Sequence, residues 1–474
     1  MIQKDETMMK TEFWLGLMMI AASWVSAADL PATAVPENRD CDLFRHQVAE
    51  MEKGETDLLW VGDSITDFWD DAGIDVWNKY YVEKGRRPLN FGISGDRTSQ
   101  VIWRIDNAPT DKIAPKMIIL MIGTNNLAHG DSPEDTVVGI QTIVSRLTGL
   151  YPDARLLLLE IFPRDARPGT LLRVLIEDAN ARLRAIYGAD RVPNVQLYSI
   201  GDLFLDEEGN LPESIMPDYL HPSAAGYEIW AEAVEPMVME GLGETPETVI
   251  PKTNGVHDYR YTDQIHRLQT EENKDYDIIM FGDSVAETWV RNGTALNLQV
   301  WEKYYGSKKG LNLGIGGDIV SGQAWRFEHY PLDGIDPKLI IMEIGVNDLT
   351  CFETPKEEVA FGIRMLVKKM HERWPKARFI VMGCLPFQFE GNPAHDGMTY
   401  QSFVDAYNRV LPLYFRDLPY AVTTDISDLY LLPDGKYNPD VLYDAVHPNG
   451  VGCALWGERL NPLVEKLLEE YGEE

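Results

Sequence analysis

At 474 residues the chain is too long for one ordinary hydrophobic core, so two or three domains are expected. Apolar residues make up 45% and charged residues 25%, which excludes a disordered, collagen-like or disulfide-dense polypeptide. The formal net charge of −32 repels phosphate backbones and anionic lipid, which argues against nucleic acid as a partner.

At the N-terminus, Lys10 precedes a short apolar run, Phe13 to Ala22, and then Val25-Ser26-Ala27. This pattern predicts a signal peptide over residues 1–27 and a secreted or periplasmic protein. Asp5 and Glu6 are unusual so close to such a run, which leaves Met8 or Met9 as alternative starts. The competing reading is a buried N-terminal helix. No later stretch reaches the ~18 apolar residues of a membrane span.

Short apolar runs bounded by chain breakers follow: Leu58–Val61, Met117–Ile122 and Leu156–Ile161. Such runs predict strands buried on both faces. Helical spacing of apolar residues marks Thr136–Leu150 and, after Pro222, Ser223–Val238. Gly, Pro, Thr and Glu around Gly243–Pro251 predict an exposed linker over 241–255. The series then begins again, with Glu357–Arg373 matching the first amphipathic helix.

The repetition extends to motifs. Gly62-Asp63-Ser64 matches Gly282-Asp283-Ser284, and Asn90-Phe91-Gly92 through Gly95-Asp96 matches Asn312-Leu313-Gly314 through Gly317-Asp318. Gly123-Thr124-Asn125-Asn126 matches Gly345-Val346-Asn347-Asp348, and Asp218-Tyr219-Leu220-His221 matches Asp444-Ala445-Val446-His447. Ser64 and Ser284 lie 220 residues apart, and His221 and His447 lie 226 apart. A period this long is a duplicated domain, expected over 28–240 and 256–474. Alternating strands and helices predict a parallel sheet covered on both faces in each copy, with ligands beyond the strands' carboxyl ends.

Each motif has a bland structural role as well as a chemical one. A serine at a strand-to-helix turn presents both its hydroxyl and its N–H, but helix-capping serines are common. Gly95 in its loop lets an oxygen approach a backbone N–H, or is an ordinary turn. Asn125 donates without adding charge, or forms an Asx turn, and Asn126 could take the turn instead. Asp218 and His221, three apart, form an orienting pair or a cap beside a surface histidine. Recurrence of the whole set in one order, after successive strands, favours chemistry. Ser284, Gly317, Asn347, Asp444 and His447 repeat it.

On these motifs the chain resembles the GDSL/SGNH hydrolases, and each half is most similar to the branch of platelet-activating factor acetylhydrolase catalytic subunits. The resemblance spans about 190 residues of each half. It implies two tandem flavodoxin-like three-layer αβα domains and a serine esterase without metal or cofactor. It implies Ser64 and Ser284 as nucleophiles, His221 and His447 as bases, and Asp218 and Asp444 as their orienters. Gly95 and Asn125, and Gly317 and Asn347, would form oxyanion holes with the serine N–H groups.

The expected substrates are short-chain, acetyl-type esters on carbohydrate. The alternatives are a lipid or phospholipid acyl esterase, or a glycan-binding protein with one or both sites inactive. No G-x-S-x-G elbow occurs, which disfavours an α/β-hydrolase. Cys41, Cys351, Cys384 and Cys453 form no CxxC or zinc pattern, and buried free thiols are expected. Trp69, Trp103, Trp289 and Trp325 lie near the motifs, where core packing is commoner than pocket lining. Arg164 and Phe387 differ at one matching loop position.

Overall fold

The computed structural model describes residues 30–188, 191–253, 258–271, 274–291, 293–388 and 399–471. The expected signal peptide lies outside them. The chain divides into two compact units between Leu242 and Gly243.

In the first unit the strands are β1 (Leu58–Gly62), β2 (Pro88–Gly92), β3 (Met117–Met121), β4 (Arg155–Leu159) and β5 (Val195–Tyr198). All pair in parallel, in the order β2-β1-β3-β4-β5. That is the flavodoxin-like order, and it reverses direction at β1 and β3. Side chains alternate across the sheet. Leu59, Val61, Ile118 and Leu120 pack with Val101, Ile140 and Leu183 of the helices on one face. Leu58, Trp60, Ile119 and Met121 pack with Trp69, Trp230 and Val234 on the other. Three layers result because both sheet faces are apolar and each needs a helical cover.

The second unit repeats this with β6 (Ile278–Gly282), β7 (Gly310–Asn312), β8 (Leu339–Glu343), β9 (Arg378–Met382) and β10 (Ala421–Thr424). Their order is β7-β6-β8-β9-β10, again parallel.

Several expectations needed adjustment. The helix foreseen over Ser223–Val238 runs Ala224–Leu242, through the start of the expected linker. Further on, Glu247–Val249 forms a short helical turn within the expected linker. Thr248 is buried, and its hydroxyl donates to the Glu358 carbonyl at 2.7 Å. Thr33 does the same with Asp135 in the first unit. Thr248 and Thr33 thus make matching contacts to a helix of their own unit. The four cysteines are free, but only Cys384 and Cys453 are buried; Cys351 is exposed. Trp69 and Trp289 are core residues, while Trp103 packs on Phe44 and Trp325 stacks on Tyr261 and His329.

Register positions the functional loops. Gly62 is opposite both Gly92 and Met121, so β1, β2 and β3 end level. A buried ion pair holds these ends: Arg104 Nε donates to Asp96 Oδ2 at 2.7 Å, and both side chains are fully buried. The remaining guanidinium nitrogens donate to the carbonyls of Phe91 at 2.8 Å and Gly62 at 3.0 Å. Removing the carboxylate would leave a buried cation without its counterion, a loss of about 3–5 kcal/mol. Asp96→Ala should lower the first unit's stability by that order in urea titrations; a change under about 1 kcal/mol would contradict the argument.

Candidate active site

Ser64 opens the helix Ser64–Asp67 directly after β1, with Asp63 as the capping residue. The Asp63 carboxylate accepts the Ile65 N–H at 3.0 Å, leaving the Ser64 hydroxyl uncommitted to the cap. Only a glycine fits before this turn. A Cβ on Gly62 would lie 2.1 Å from Thr66 Oγ1, and one on Gly282 would lie 2.3 Å from Ala286 Cβ.

His221 Nε2 lies 2.9 Å from Ser64 Oγ, and its Nδ1 lies 2.6 Å from Asp218 Oδ2. The other Asp218 oxygen accepts the backbone N–H groups of His221 at 2.7 Å and Leu220 at 3.1 Å. Partial burial works to raise the Asp218 pKa, but these N–H groups and the His221 ring hold it below its ordinary value. The carboxylate is thus kept charged beside the ring. Phe68 packs against the imidazole, with ring centres 4.8 Å apart.

Gly95 follows β2 with φ +83°, a conformation that favours glycine. Its loop is fastened to the serine's own helix, because Asp67 Oδ2 accepts from Ser94 N at 3.0 Å and Ser94 Oγ at 2.5 Å. Asn125 follows β3 and donates through Nδ2 to the Asp96 carbonyl at 3.0 Å. Asn126 takes the structural role: buried, it accepts from Thr98 N at 3.0 Å and donates to Asp131 Oδ2 at 2.9 Å. Of the two asparagines, Asn126 is fully buried and Asn125 is half-buried.

The second unit assembles the same set. His447 Nε2 lies 2.8 Å from Ser284 Oγ, and Nδ1 lies 2.8 Å from Asp444 Oδ2. Gly317 has φ +77°, and Asn347 Nδ2 donates to the Asp318 carbonyl at 2.9 Å. Glu287 replaces Asp67 as the brace, accepting Gly316 N at 2.9 Å. All ten sequence-predicted residues are therefore gathered at the carboxyl ends of their sheets. Asp67, Glu287 and the Asp96–Arg104 pair were missed, although Asp96 and Asp318 stood in the repeated blocks. Among the described residues, no cluster of three or more His, Cys, Asp or Glu is placed to hold a metal ion, and no helix is long and apolar enough to cross a membrane.

Fold and site together define a hydrolase built of two tandem flavodoxin-like αβα domains. The model of the GDSL-like lipase/acylhydrolase family matches the chain twice, over residues 60–229 and 280–455. The chain belongs to this family, and with it to the carboxylic ester hydrolases. Among its relatives is platelet-activating factor acetylhydrolase IB subunit alpha2 of Gallus gallus, 31% identical over 202 residues, covering 42% of this chain and 83% of that one. Subunit alpha1 of Rattus norvegicus is 29% identical over 215 residues, covering 45% and 89%. Similar solved structures include a GDSL-like lipase from Bacteroides thetaiotaomicron, with 18% identity and TM-score 0.34 over 42% of this chain and 97% of that one. An acetyl xylan esterase from Geobacillus stearothermophilus has 20% identity and TM-score 0.32 over 40% and 95%.

The two sites differ underneath. Burial pushes the Asp63 carboxyl up to about 7, and Met121 ends the neighbouring strand. In the second unit burial likewise pushes Asp283 up to about 7, but Glu343 replaces Met121. Burial, then the adjacent Asp283 charge, pushes Glu343 well above its ordinary value. Both groups have raised folded-state values, so the native unit holds more protons than the unfolded chain. Stability is then full below the ordinary carboxylate range and falls as pH rises from about 4 through 7. Glu343→Met should flatten this decline. Thermal unfolding should show its advantage over wild type widening by more than about 1 kcal/mol between pH 5 and 8. Equal slopes would refute the assignment.

Proposed function

We propose that each unit hydrolyses carboxylic esters through its Ser-His-Asp set, acting on short acyl groups, chiefly acetyl, carried by carbohydrate. The observation that carries the mechanism is the hydrogen-bonded chain Ser64–His221–Asp218, repeated as Ser284–His447–Asp444. His221 Nε2 takes the Ser64 proton as Oγ attacks the ester carbonyl. Asp218 fixes the tautomer through Nδ1 and stabilises the imidazolium. The Ser64 and Gly95 N–H groups and the Asn125 amide receive the negative oxygen, an effect worth ~3–4 kcal/mol per donor. The imidazolium then protonates the departing alcohol. Water, deprotonated by the same ring, releases the acid and restores the serine. The second unit acts identically through its own residues.

Acetyl as the acyl group is supported by the relatives named acetylhydrolases. Carbohydrate as the alcohol rests on the exported character read from Lys10, Phe13–Ala22 and Val25-Ser26-Ala27. The same relatives favour a second reading, an acetyl ester of a phospholipid. A binding-only role is disfavoured because neither set lacks a member.

Ser64→Ala and Ser284→Ala should each remove one unit's turnover, and the double variant should lose at least ~10³-fold of the total kcat. Full p-nitrophenyl acetate turnover by the double variant would sink the mechanism. Asn125→Ala in a Ser284→Ala chain should cost ~10²–10³ in kcat with little change in KM. On a p-nitrophenyl ester series, kcat/KM should be highest for acetyl, and acetylated sugars should be turned over faster than acetylated phospholipid. A preference for acyl groups longer than butyryl would reverse the substrate choice.

A further inference from the structure

The loop after the fourth strand is latched in the same way in both units. Asp165 N donates to the Tyr219 carbonyl at 2.9 Å, and Gln388 N donates to the Ala445 carbonyl at 3.4 Å. Each bond ties the loop to the turn that carries the Asp and His of its site. The residue just before the latch is therefore delivered to an equivalent place, and there the units part. It is Arg164 in the first and Phe387 in the second.

Arg164 is largely buried, its side chain 17% exposed. Its Nη1 donates to Thr124 Oγ1 at 3.2 Å, and Thr124 immediately precedes Asn125. The guanidinium thus reaches from the histidine turn to the Asn125 helix. It lies near enough to Asp63, next to Ser64, for its charge to favour that carboxylate, although burial dominates there. Among the described residues, Nε is buried without a hydrogen-bond partner, and the Asp165 carboxylate stands off from it at 3.9 Å. An unspent, desolvated donor on a cation is costly unless a ligand completes it. In the second unit both members of the pair change together. Val346 replaces Thr124, and the Phe387 ring packs edge-on against Tyr400 with centres 5.6 Å apart.

We propose that Arg164 is a specificity-determining residue that binds an anionic oxygen, carboxylate or phosphate, on the ester substrate of the first unit, whereas Phe387 and Val346 give the second unit an apolar counterpart. This rests on the esterase reading of Ser64 and His221. A planar guanidinium suits such a group because it offers parallel donors along with charge. In a chain of net charge −32, a cation held at the site offsets long-range repulsion of an anionic substrate.

The test uses the full chain carrying Ser284→Ala, so that only the first unit turns over. The neutral ester is phenyl acetate. The anionic probes are 4-acetoxybenzoate, charged on the leaving group, and p-nitrophenyl hydrogen succinate, charged on the acyl group and compared with p-nitrophenyl butyrate. Arg164→Met should lower the anionic-to-neutral ratio of kcat/KM by about tenfold or more for one probe, mainly through KM, and Arg164→Lys should restore part of it. The affected probe tells which side of the ester the cation faces. In a Ser64→Ala chain, the second unit should favour the neutral ester of each pair. Calorimetric binding of 4-acetoxybenzoate and hydrogen succinate to the Ser64→Ala/Ser284→Ala chain reads the contact without turnover. Loss of esterase activity as a reading would leave that binding difference intact. An unchanged ratio in Arg164→Met, with both esters slowed alike and binding unaltered, would reduce Arg164 to a brace of the loop and overturn the proposal.

Discussion

The buried guanidinium of Arg104 is the point on which the first site hangs. One planar group donates to an oxygen of the Asp96 carboxylate, whose other oxygen accepts from Arg39, and to the carbonyls of Phe91 and Gly62, which belong to β2 and β1. A parallel strand end has carbonyls with no further strand to receive them, and burial forbids water from doing so. Arg104 answers that need and in the same act fixes Asp96, whose own carbonyl receives the Asn125 amide. The serine turn, the glycine loop and the asparagine are thereby referred to one rigid group. Arg326 repeats this in the second unit, with Asp318 and the carbonyls of Gly282 and Leu313. A site of weakly coupled loops would scatter donors that must converge within a fraction of an ångström.

Much of this was legible in the sequence because duplication supplied an internal comparison. Gly-Asp-Ser alone reads as a cap, and in the structure Asp63 does cap the helix while Ser64 is left free. Periodicity found the strands because parallel sheets covered on both faces write themselves as apolar runs. The element ends moved only slightly, as with Pro133–Leu150 against an expected Thr136. What escaped were residues whose role depends on where a side chain points after folding. Asp67 and Glu287 look like ordinary helix charges, yet each reaches across to the backbone of the glycine loop. In the linker, likewise, Pro and Gly content signals a turn but cannot single out Thr248, the one residue from 243 to 250 that is buried.

Glu343 illustrates the limit of motif reading from the other side. It ends an otherwise apolar strand run, Leu-Ile-Ile-Met-Glu, where the first unit has methionine, and nothing in the motifs depends on it. Only the fold sets it against Asp283, beneath a serine whose partners are otherwise unchanged. Complete motifs therefore do not mean equal sites. The same hydrogen-bonded set stands over one buried carboxyl, Asp63, in the first unit, and over adjoining carboxyls in the second.

Duplication relaxes the constraint on whichever parts do not touch the reacting atoms, and the differences between the units are distributed accordingly. The hydrogen-bonded set and the glycine loop agree to within tenths of an ångström in their paired distances, 2.9 against 2.8 Å between histidine and serine. The latch after the fourth strand is also retained, while the side chain just before it differs. Arg164 with Thr124, and Phe387 with Val346, have changed as pairs. Arg164 donates to Thr124, and a valine at that position would leave the guanidinium without this acceptor. Divergence has fallen on the residue before the latch and on the position preceding the site asparagine, and agreement on the serine, histidine and aspartate. Two copies of one chemistry meeting differently charged substrates, as proposed for Arg164, would account for both halves of that pattern.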